Sequence, residues 1–314
     1  MPTIRTCEFV SPKHPDKLCD YIADTILDAY LAQDVDSRVA VEVMGGHNHI
    51  TLSGEVTSRT SLDLIAIVRE IVGDTYEIHQ YIQPQSPEIA AGVDTGGAGD
   101  QGIMIGYATN ETPSLMPKEY ALARDLCQKI YEVYPYDGKV QVTLKDDEVD
   151  VVVASFQNSH SGDLEKMVRE LLPSNEYHIN EAGEWSLGGL DADSGLSGRK
   201  IVIDAYGPNV PVGGGSFSGK DYTKVDRSGA YMARKIAVDL LKKNNAKTVL
   251  VKLAYVIGRR EPVMATALID WVEQPIEGYD LSPSGIRSFL KLKEFKFKEA
   301  AAWGHFGRGF VWDL

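Results

Sequence analysis

Apolar residues recur along this chain in two rhythms, a period near 3.6 that marks amphipathic helices and a period of two that marks half-buried strands. The apolar run Ile4–Val10 predicts a strand. Over Asp16–Gln33, Leu18, Ile22, Ile26 and Ala29/Tyr30 fall on one face, which predicts a helix. Arg38–Met44 and His49–Thr57 read as a hairpin around the turn Gly45–Asn48, followed by a helix at Ser61–Val72 and an extended run at Tyr76–Ile82. The same order returns as a strand at Gly102–Ala108, a helix at Pro117–Tyr134 with proline at its start, and a hairpin of Val140–Leu144 with Val149–Phe156. A helix at Asp163–Leu172 and extended pieces to Leu187 complete that copy. A third copy has a strand at Lys200–Tyr206, a glycine-rich stretch, and a helix from Asp226 to about Lys243. It closes with a hairpin of Thr248–Ile257 with Val263–Val272, and a short helix at Ser284–Leu292.

Strand–helix–strand–strand–helix–strand, three times over, predicts an α+β protein of three pseudo-symmetric units packed around a pseudo-threefold axis. Each unit is expected to be an open sheet with helices on one face, with boundaries at residues 1–94, 95–190 and 191–314. Such units leave surface that must pack on the other copies or on another subunit. The competing reading is three unrelated α/β segments that look alike by chance.

Composition narrows the function. A net charge of −13 over 314 residues argues against nucleic acid or an anionic membrane as the main partner. Cys7, Cys19 and Cys127 are scattered without a C-x-x-C, so neither a disulfide framework nor a cysteine zinc site is indicated. With no apolar run of membrane length and no signal peptide, a cytoplasmic protein is expected.

An acidic chain that binds a polyphosphate must concentrate its cations locally, and Gly213–Arg227 does so. Three consecutive glycines precede Lys220 and Lys224, and Asp221 and Asp226 are interleaved with them. Glycines permit close backbone approach, ammonium groups suit phosphate oxygens, and carboxylates hold Mg²⁺ beside a phosphate chain. The bland alternative is a solvated surface loop. A P-loop fails, because Gly214 to Lys220 fits G-x-x-x-x-G-K but Asp221 stands where Ser or Thr must reach Mg²⁺. His14, Asp16 and Lys17, flanked by Pro12 and Pro15, supply a second kit for a phosphate chain. Asp16, Asp20, Asp24 and Asp28 run i, i+4 along one helix. Asp16 is read as functional and the other three as a solvated acidic face. Asp100 within Gly97–Gly102, Asp137 with Lys139, and Asp193 before Arg199 and Lys200 add paired charges at the edges of the repeats. Equivalent loops of pseudo-symmetric units can converge on one cleft.

The runs His14-Pro-Asp-Lys17, Gly97–Glu111, Gly195-Leu-Ser-Gly-Arg-Lys200, Gly213–Arg227 and Gly304-His-Phe-Gly-Arg308 resemble those of the S-adenosylmethionine synthetases (methionine adenosyltransferases), in the same order from Ser11 onward. The resemblance implies three pseudo-symmetric α+β domains, and a homodimer or dimer of dimers whose active sites are shared between subunits. It implies ATP and L-methionine as substrates, transfer of the adenosyl group to the methionine sulfur, and hydrolysis of the triphosphate to pyrophosphate and phosphate. Two Mg²⁺ per site and K⁺ are the implied cofactors. His14, Lys139, Arg199, Lys220 and Lys224 are the implied catalytic residues. ATP binding is implied for His14, Asp137, Lys139, Trp185, Asp193, Arg199, Lys200, Ser216 and Lys220. Glu55, Asp100, Asp193 and Lys224 are implied to hold methionine, Asp16 and Asp226 Mg²⁺, and Glu42 K⁺.

Three departures stand out. The family's methionine-contacting Gln is Ala91 here, the loop after it is short, and Glu184 replaces an Arg before the aromatic at Trp185. Ala91 motivates a second reading, a Mg²⁺-dependent triphosphatase or kinase-like ATP enzyme that has lost methionine transfer; the non-enzymatic alternative, a catalytically silent regulatory subunit, is opposed by the intact His14, Asp16, Lys220, Lys224 and Asp226.

Overall fold

The structure, a computed structural model, describes residues 2–86 and 96–314; Ala91 and most of the short loop after it lie outside the described residues. The first run of elements is β1 (Ile4–Val10), α1 (Pro15–Gln33), β2 (Arg38–Gly46), β3 (His49–Thr57), α2 (Leu64–Val72) and β4 (Glu77–Gln83). The second is β5 (Gly102–Thr109), α3 (Lys118–Val133), β6 (Gly138–Lys145), β7 (Glu148–Phe156), α4 (Ser161–Leu171) and β8 (Glu176–Ile179). The third is β9 (Gly195–Leu196), α5 (Ile201–Asp204), α6 (Val225–Asn244), β10 (Thr248–Tyr255), β11 (Met264–Ile269), β12 (Val272–Pro275), α7 (Pro283–Phe289) and α8 (Lys298–Ala301).

These elements form three four-stranded sheets of order β4-β3-β2-β9, β1-β6-β7-β8 and β12-β11-β10-β5. Each sheet therefore takes one edge strand from a different run: β1 joins the second hairpin, β5 the third and β9 the first. One long helix packs on each sheet, α1 on β2 and β9, α3 on β1 and β6, and α6 on β5 and β10. The outermost strand is parallel to its neighbour in the first two sheets but antiparallel in the third, where β12 follows β11 through a tight turn.

This exchange of edge strands assembles the chemistry. Pairing of β1 with β6 sets Val10 opposite Lys139, and Ser11 N–H donates to the Gly138 carbonyl (2.9 Å), so the His14 loop emerges beside Asp137 and Lys139. Pairing of β9 with β2 sets Leu196 opposite Met44 and carries Ser197, Arg199 and Lys200 to the strand that bears Glu42. Pairing of β5 with β10 sets Gly102 opposite Tyr255 at the end of the glycine-rich 97–102 turn.

The structure corrects four expectations. Lys200–Tyr206 is not a strand: Ile201–Asp204 forms a helical turn, with Asp204 N–H bonded to the Lys200 carbonyl and Ala205 N–H to that of Ile201. A short apolar run suits a buried helix turn as well as a strand, and the edge it would have filled is taken by β9. Asp20, Asp24 and Asp28 are buried, not a solvated face. Asp20 accepts from Gly198 N–H (2.8 Å), Asp24 from Gly219 N–H (2.9 Å), and Asp28 from Phe297 and Lys298 N–H (2.8 and 3.1 Å). Asp24 also takes a bidentate ion pair from the buried Arg227 (2.6 and 2.8 Å). Lys17 turns away from the phosphate kit into the core, where its ammonium pairs with Asp204 and with Asp20. Asp221 is no metal ligand, because its buried carboxylate is filled by Val39 N–H, Thr223 N–H and the Lys224 ammonium.

Candidate active site

The site residues fall on two banks joined by β2 and the glycine loop. On the first bank His14 caps α1: its Nδ1 accepts from Asp16 N–H (3.1 Å), while Pro15 opens the helix. Burial, reinforced by the charges of Lys200 and Lys139, pushes the imidazole pKa down to about 4, so the ring is neutral near pH 7. With Nδ1 accepting, the proton sits on Nε2, which is left as a donor. Asp16 Oδ1 accepts from Leu196 N–H (2.9 Å), Oδ2 meets the Lys200 ammonium (2.5 Å), and Arg199 lies 3.8 Å from Oδ1. Burial would raise this carboxyl, but the bonds from Lys200 and Leu196 prevail and hold it below the usual carboxylate range.

Asp137 stands next to this group. Burial raises its pKa against the N–H bonds it accepts from Gly189 and Gly138, with Asp193 adding like charge and Lys200 opposing. Lys139, half exposed, pairs with Glu8. Trp185 borders the bank through the Gln157 side chain, which donates to the Ser186 carbonyl (2.8 Å) and accepts from Asp137 N–H (3.3 Å). The indole N–H is held by Ser155 Oγ (2.9 Å). Asp193 is exposed, its Oδ1 accepting from Ser194 N–H (2.7 Å).

On the second bank the Lys220 ammonium sits 2.7 Å from Asp226 Oδ2, at the start of α6. A β-carbon on Gly215 would collide with the Asp226 carboxylate, so only glycine lets the loop lie there. Of the loop's glycines, Gly219 takes the left-handed conformation (φ 81°), whereas Gly213 and Gly215 serve close approach. Gly102, at the end of the turn bearing Asp100, also borders Asp226. That turn is clamped to the segment after β10 by Ala98 N–H to the Arg259 carbonyl and Gly258 N–H to the Ala98 carbonyl, both 2.8 Å. Lys224 pairs with Asp221 (2.8 Å).

The outer face of the β4-β3-β2-β9 sheet joins the two banks. Lys220 bridges to Ala40 on β2, and Ala40 stands opposite Glu55 on β3. Two strand spacings put Glu55 and Lys220 about 10 Å apart on one face. Glu42, on the same face by alternation, accepts from Ser197 Oγ; burial raises its carboxyl against that bond and against the nearby Lys220. Ser197 also accepts from Val43 N–H (2.9 Å), so it orients Glu42; sequence reading singled out the charges of this run and passed over its serine. Gly198 packs against Ser216, which closes the link between the banks. The hollow beside Asp226, walled by Ile103, Gly213, Gly215 and Phe217, has a volume of about 10 Å³, too small for a substrate.

Cations, carboxylates and one neutral imidazole donor, without an activated nucleophile among the described residues, suit binding and charge neutralisation of a polyphosphate. Comparisons point the same way. The chain matches the family descriptions "S-adenosylmethionine synthetase, N-terminal domain" over residues 2–91, "central domain" over 95–184 and "C-terminal domain" over 187–314. It is 40% identical to the S-adenosylmethionine synthase of Desulforudis audaxviator, across 97% of this chain and 93% of that protein. It is 39% identical to S-adenosylmethionine synthase 2 of Rhodospirillum rubrum, across 98% and 94%, and 39% identical to the synthase of Thermus thermophilus, across 98% and 95%.

Proposed function

The chain belongs to the S-adenosylmethionine synthetase family, and from that premise we propose how its residues make S-adenosylmethionine from ATP and L-methionine. A lone pair on the methionine sulfur attacks the ribose C5′, the C5′–O5′ bond breaks, and triphosphate leaves with the electron pair. A thioether carries no proton to remove, so no general base is needed. The protein's contribution is alignment and neutralisation of the charge growing on the leaving oxygens. Neutral His14 donates from Nε2 toward that oxygen. Lys139, Arg199, Lys200 and Lys220 surround the phosphates, Ser216 lines the loop beside them, and Lys224 leaves Asp221 to reach substrate. Asp137 and Asp193 hold the nucleoside with Trp185 stacked on adenine, and Glu55 with Asp100 takes the methionine ammonium. Water then hydrolyses the triphosphate to pyrophosphate and phosphate.

Asp16 and Asp226 fit Mg²⁺ chemically: each offers a hard carboxylate oxygen whose charge is now met by a lysine that phosphate would draw away. Two Mg²⁺ held there would neutralise phosphate oxygens. The carboxylate of Glu42 beside Ser197 is an oxygen donor suited to K⁺. The working form is a cytoplasmic homodimer or dimer of dimers with shared sites, and residues 1–94, 95–190 and 191–314 are its three repeats.

The observation that carries this reading is the pair of ion pairs, Lys200 with Asp16 and Lys220 with Asp226, carried by the two segments, β9 with its following loop and the glycine loop, that pair along the same edge of β2. The test is incubation with ATP, Mg²⁺, K⁺ and methionine, following the sulfonium product and released phosphates. Both should form together. Phosphate without the sulfonium would favour a triphosphatase, and neither product a silent subunit.

A further inference from the structure

Away from the two banks, the same sheet carries a second donor set at the other end of its outer face. His49 on β3 lies directly opposite Glu77 across the parallel ladder, and Thr51 opposite His79. Side chains alternate along a strand, so His49, Glu77 and His79 share one face. His49 Nδ1 is 3.5 Å from one Glu77 oxygen, and His79 Nε2 is 3.2 Å from the other. The two imidazoles lie 20° from parallel with centroids 6.2 Å apart. One donor atom from each of the three residues lies within 4.8 Å of the other two. Donors around a tetrahedral zinc ion with bonds of about 2.0–2.1 Å sit roughly 3.3–3.4 Å apart, so rotation of exposed side chains closes the site without backbone movement.

We infer that His49, Glu77 and His79 form a site for a transition-metal dication of the Zn²⁺ class, separate from the carboxylates assigned to Mg²⁺. Two imidazole nitrogens with one carboxylate favour Zn²⁺, Co²⁺, Ni²⁺ or Cu²⁺ over Mg²⁺, which prefers an all-oxygen shell. Three protein ligands leave the remaining positions to water. The site is remote from the methionine end of the face, since His49 and Glu55 are six residues apart on β3, about 20 Å at 3.3 Å per residue. Metal there ties edge strand β4 to β3. It also stiffens the adjoining β2–β3 turn, whose His47 N–H donates to the Leu190 carbonyl (2.8 Å) in the loop that leads to Asp193.

The test uses the untagged full chain, with millimolar Mg²⁺ present to fill the carboxylate sites. Zn²⁺ is titrated calorimetrically into wild type, His49→Ala, His79→Ala and the control His178→Ala, whose imidazole pairs with Glu176 and Glu181 on another sheet. Wild type and His178→Ala should bind about one Zn²⁺ per chain, with a rise in Tm. His49→Ala and His79→Ala should lose at least roughly tenfold in affinity together with the Tm rise, while their turnover without zinc matches wild type. Unchanged zinc affinity in His49→Ala and His79→Ala overturns the assignment, as does a wild type that binds no tighter than they do.

Discussion

At His14 one imidazole does two jobs with its two nitrogens. Nδ1 satisfies a free N–H at the start of α1, and Nε2 is left to donate to substrate. Asparagine can cap a helix as well but presents no donor at the same reach. His14→Asn should therefore keep the wild-type Tm while kcat falls by about two orders of magnitude, the usual cost of one preorganised donor. His14→Ala should lose both, with Tm falling by the equivalent of about 1 kcal/mol. A matching Tm loss in His14→Asn would mean that the residue acts through the fold. The second bank supports a parallel expectation: Lys220→Ala or Asp226→Ala should fold normally and lose transfer by about two to three orders of magnitude. Near wild-type turnover in either would remove that residue from the site. What was legible is placement, because chemistry-bearing residues come in local runs: the 97–102 turn lies beside the 213–227 loop, and the His14-Pro-Asp run lies beside Asp137 and Lys139. Asp221 and Lys17 were misread for the opposite reason. A charged side chain looks alike in sequence whether its partner is solvent, substrate or a buried backbone N–H.

Helix α1 shows that ambiguity along a whole element. The carboxylates Asp16, Asp20, Asp24 and Asp28 meet, one turn after another, β9, the loop after it, the glycine loop and the start of α8. A ladder of aspartates thus seats the third segment on the first, and the spacing that suggested a solvated stripe is the spacing of a docking rail. Asp24→Ala should be the most damaging change on it, since Arg227 would be left buried and unpaired, at a cost of about 3–5 kcal/mol by denaturant unfolding. Asp28 carries a pH signature. Burial pushes its carboxyl up to about 6, only partly offset by the two N–H bonds it accepts. The unfolded value is near 3.9, so the folded chain holds this proton more tightly. The stability it contributes is full below about pH 4 and is lost as pH rises through 6. Asp28→Asn keeps an acceptor but cannot ionise, so its stability relative to wild type should improve between pH 4 and 7. A pH-independent difference between the two proteins would exclude an ionising Asp28.

Over the whole molecule, periodicity exposes the threefold repeat but not the exchange of β1, β5 and β9 between sheets. A strand's pattern tells which face is buried, not which hairpin it joins. That exchange puts the His14 loop beside Asp137 and the Arg199–Lys200 loop beside Glu42, and among the described residues it leaves open the end of a sheet face that bears Glu42, Glu55, Lys220 and the exposed Tyr81 (63%). An apolar ring among substrate groups, at an end of the face that the described residues leave bare, suits a second copy of the chain as the cover there. If sites are shared, the first bank of one chain works with the second bank of its partner. Asp16→Asn and Lys220→Ala, each inactive alone, should then complement each other. A heterodimer would have one site with both lesions and one with neither. Random mixing of equal amounts makes about half the dimers mixed, so about a quarter of wild-type activity should return. Were each site built within one chain, every site in every dimer would carry a lesion. No activity beyond that of the separate variants would then appear, provided subunit exchange is verified by differently tagged chains co-purifying. A chain that scatters light as a monomer at micromolar concentration, yet turns over, would rule out the shared site directly.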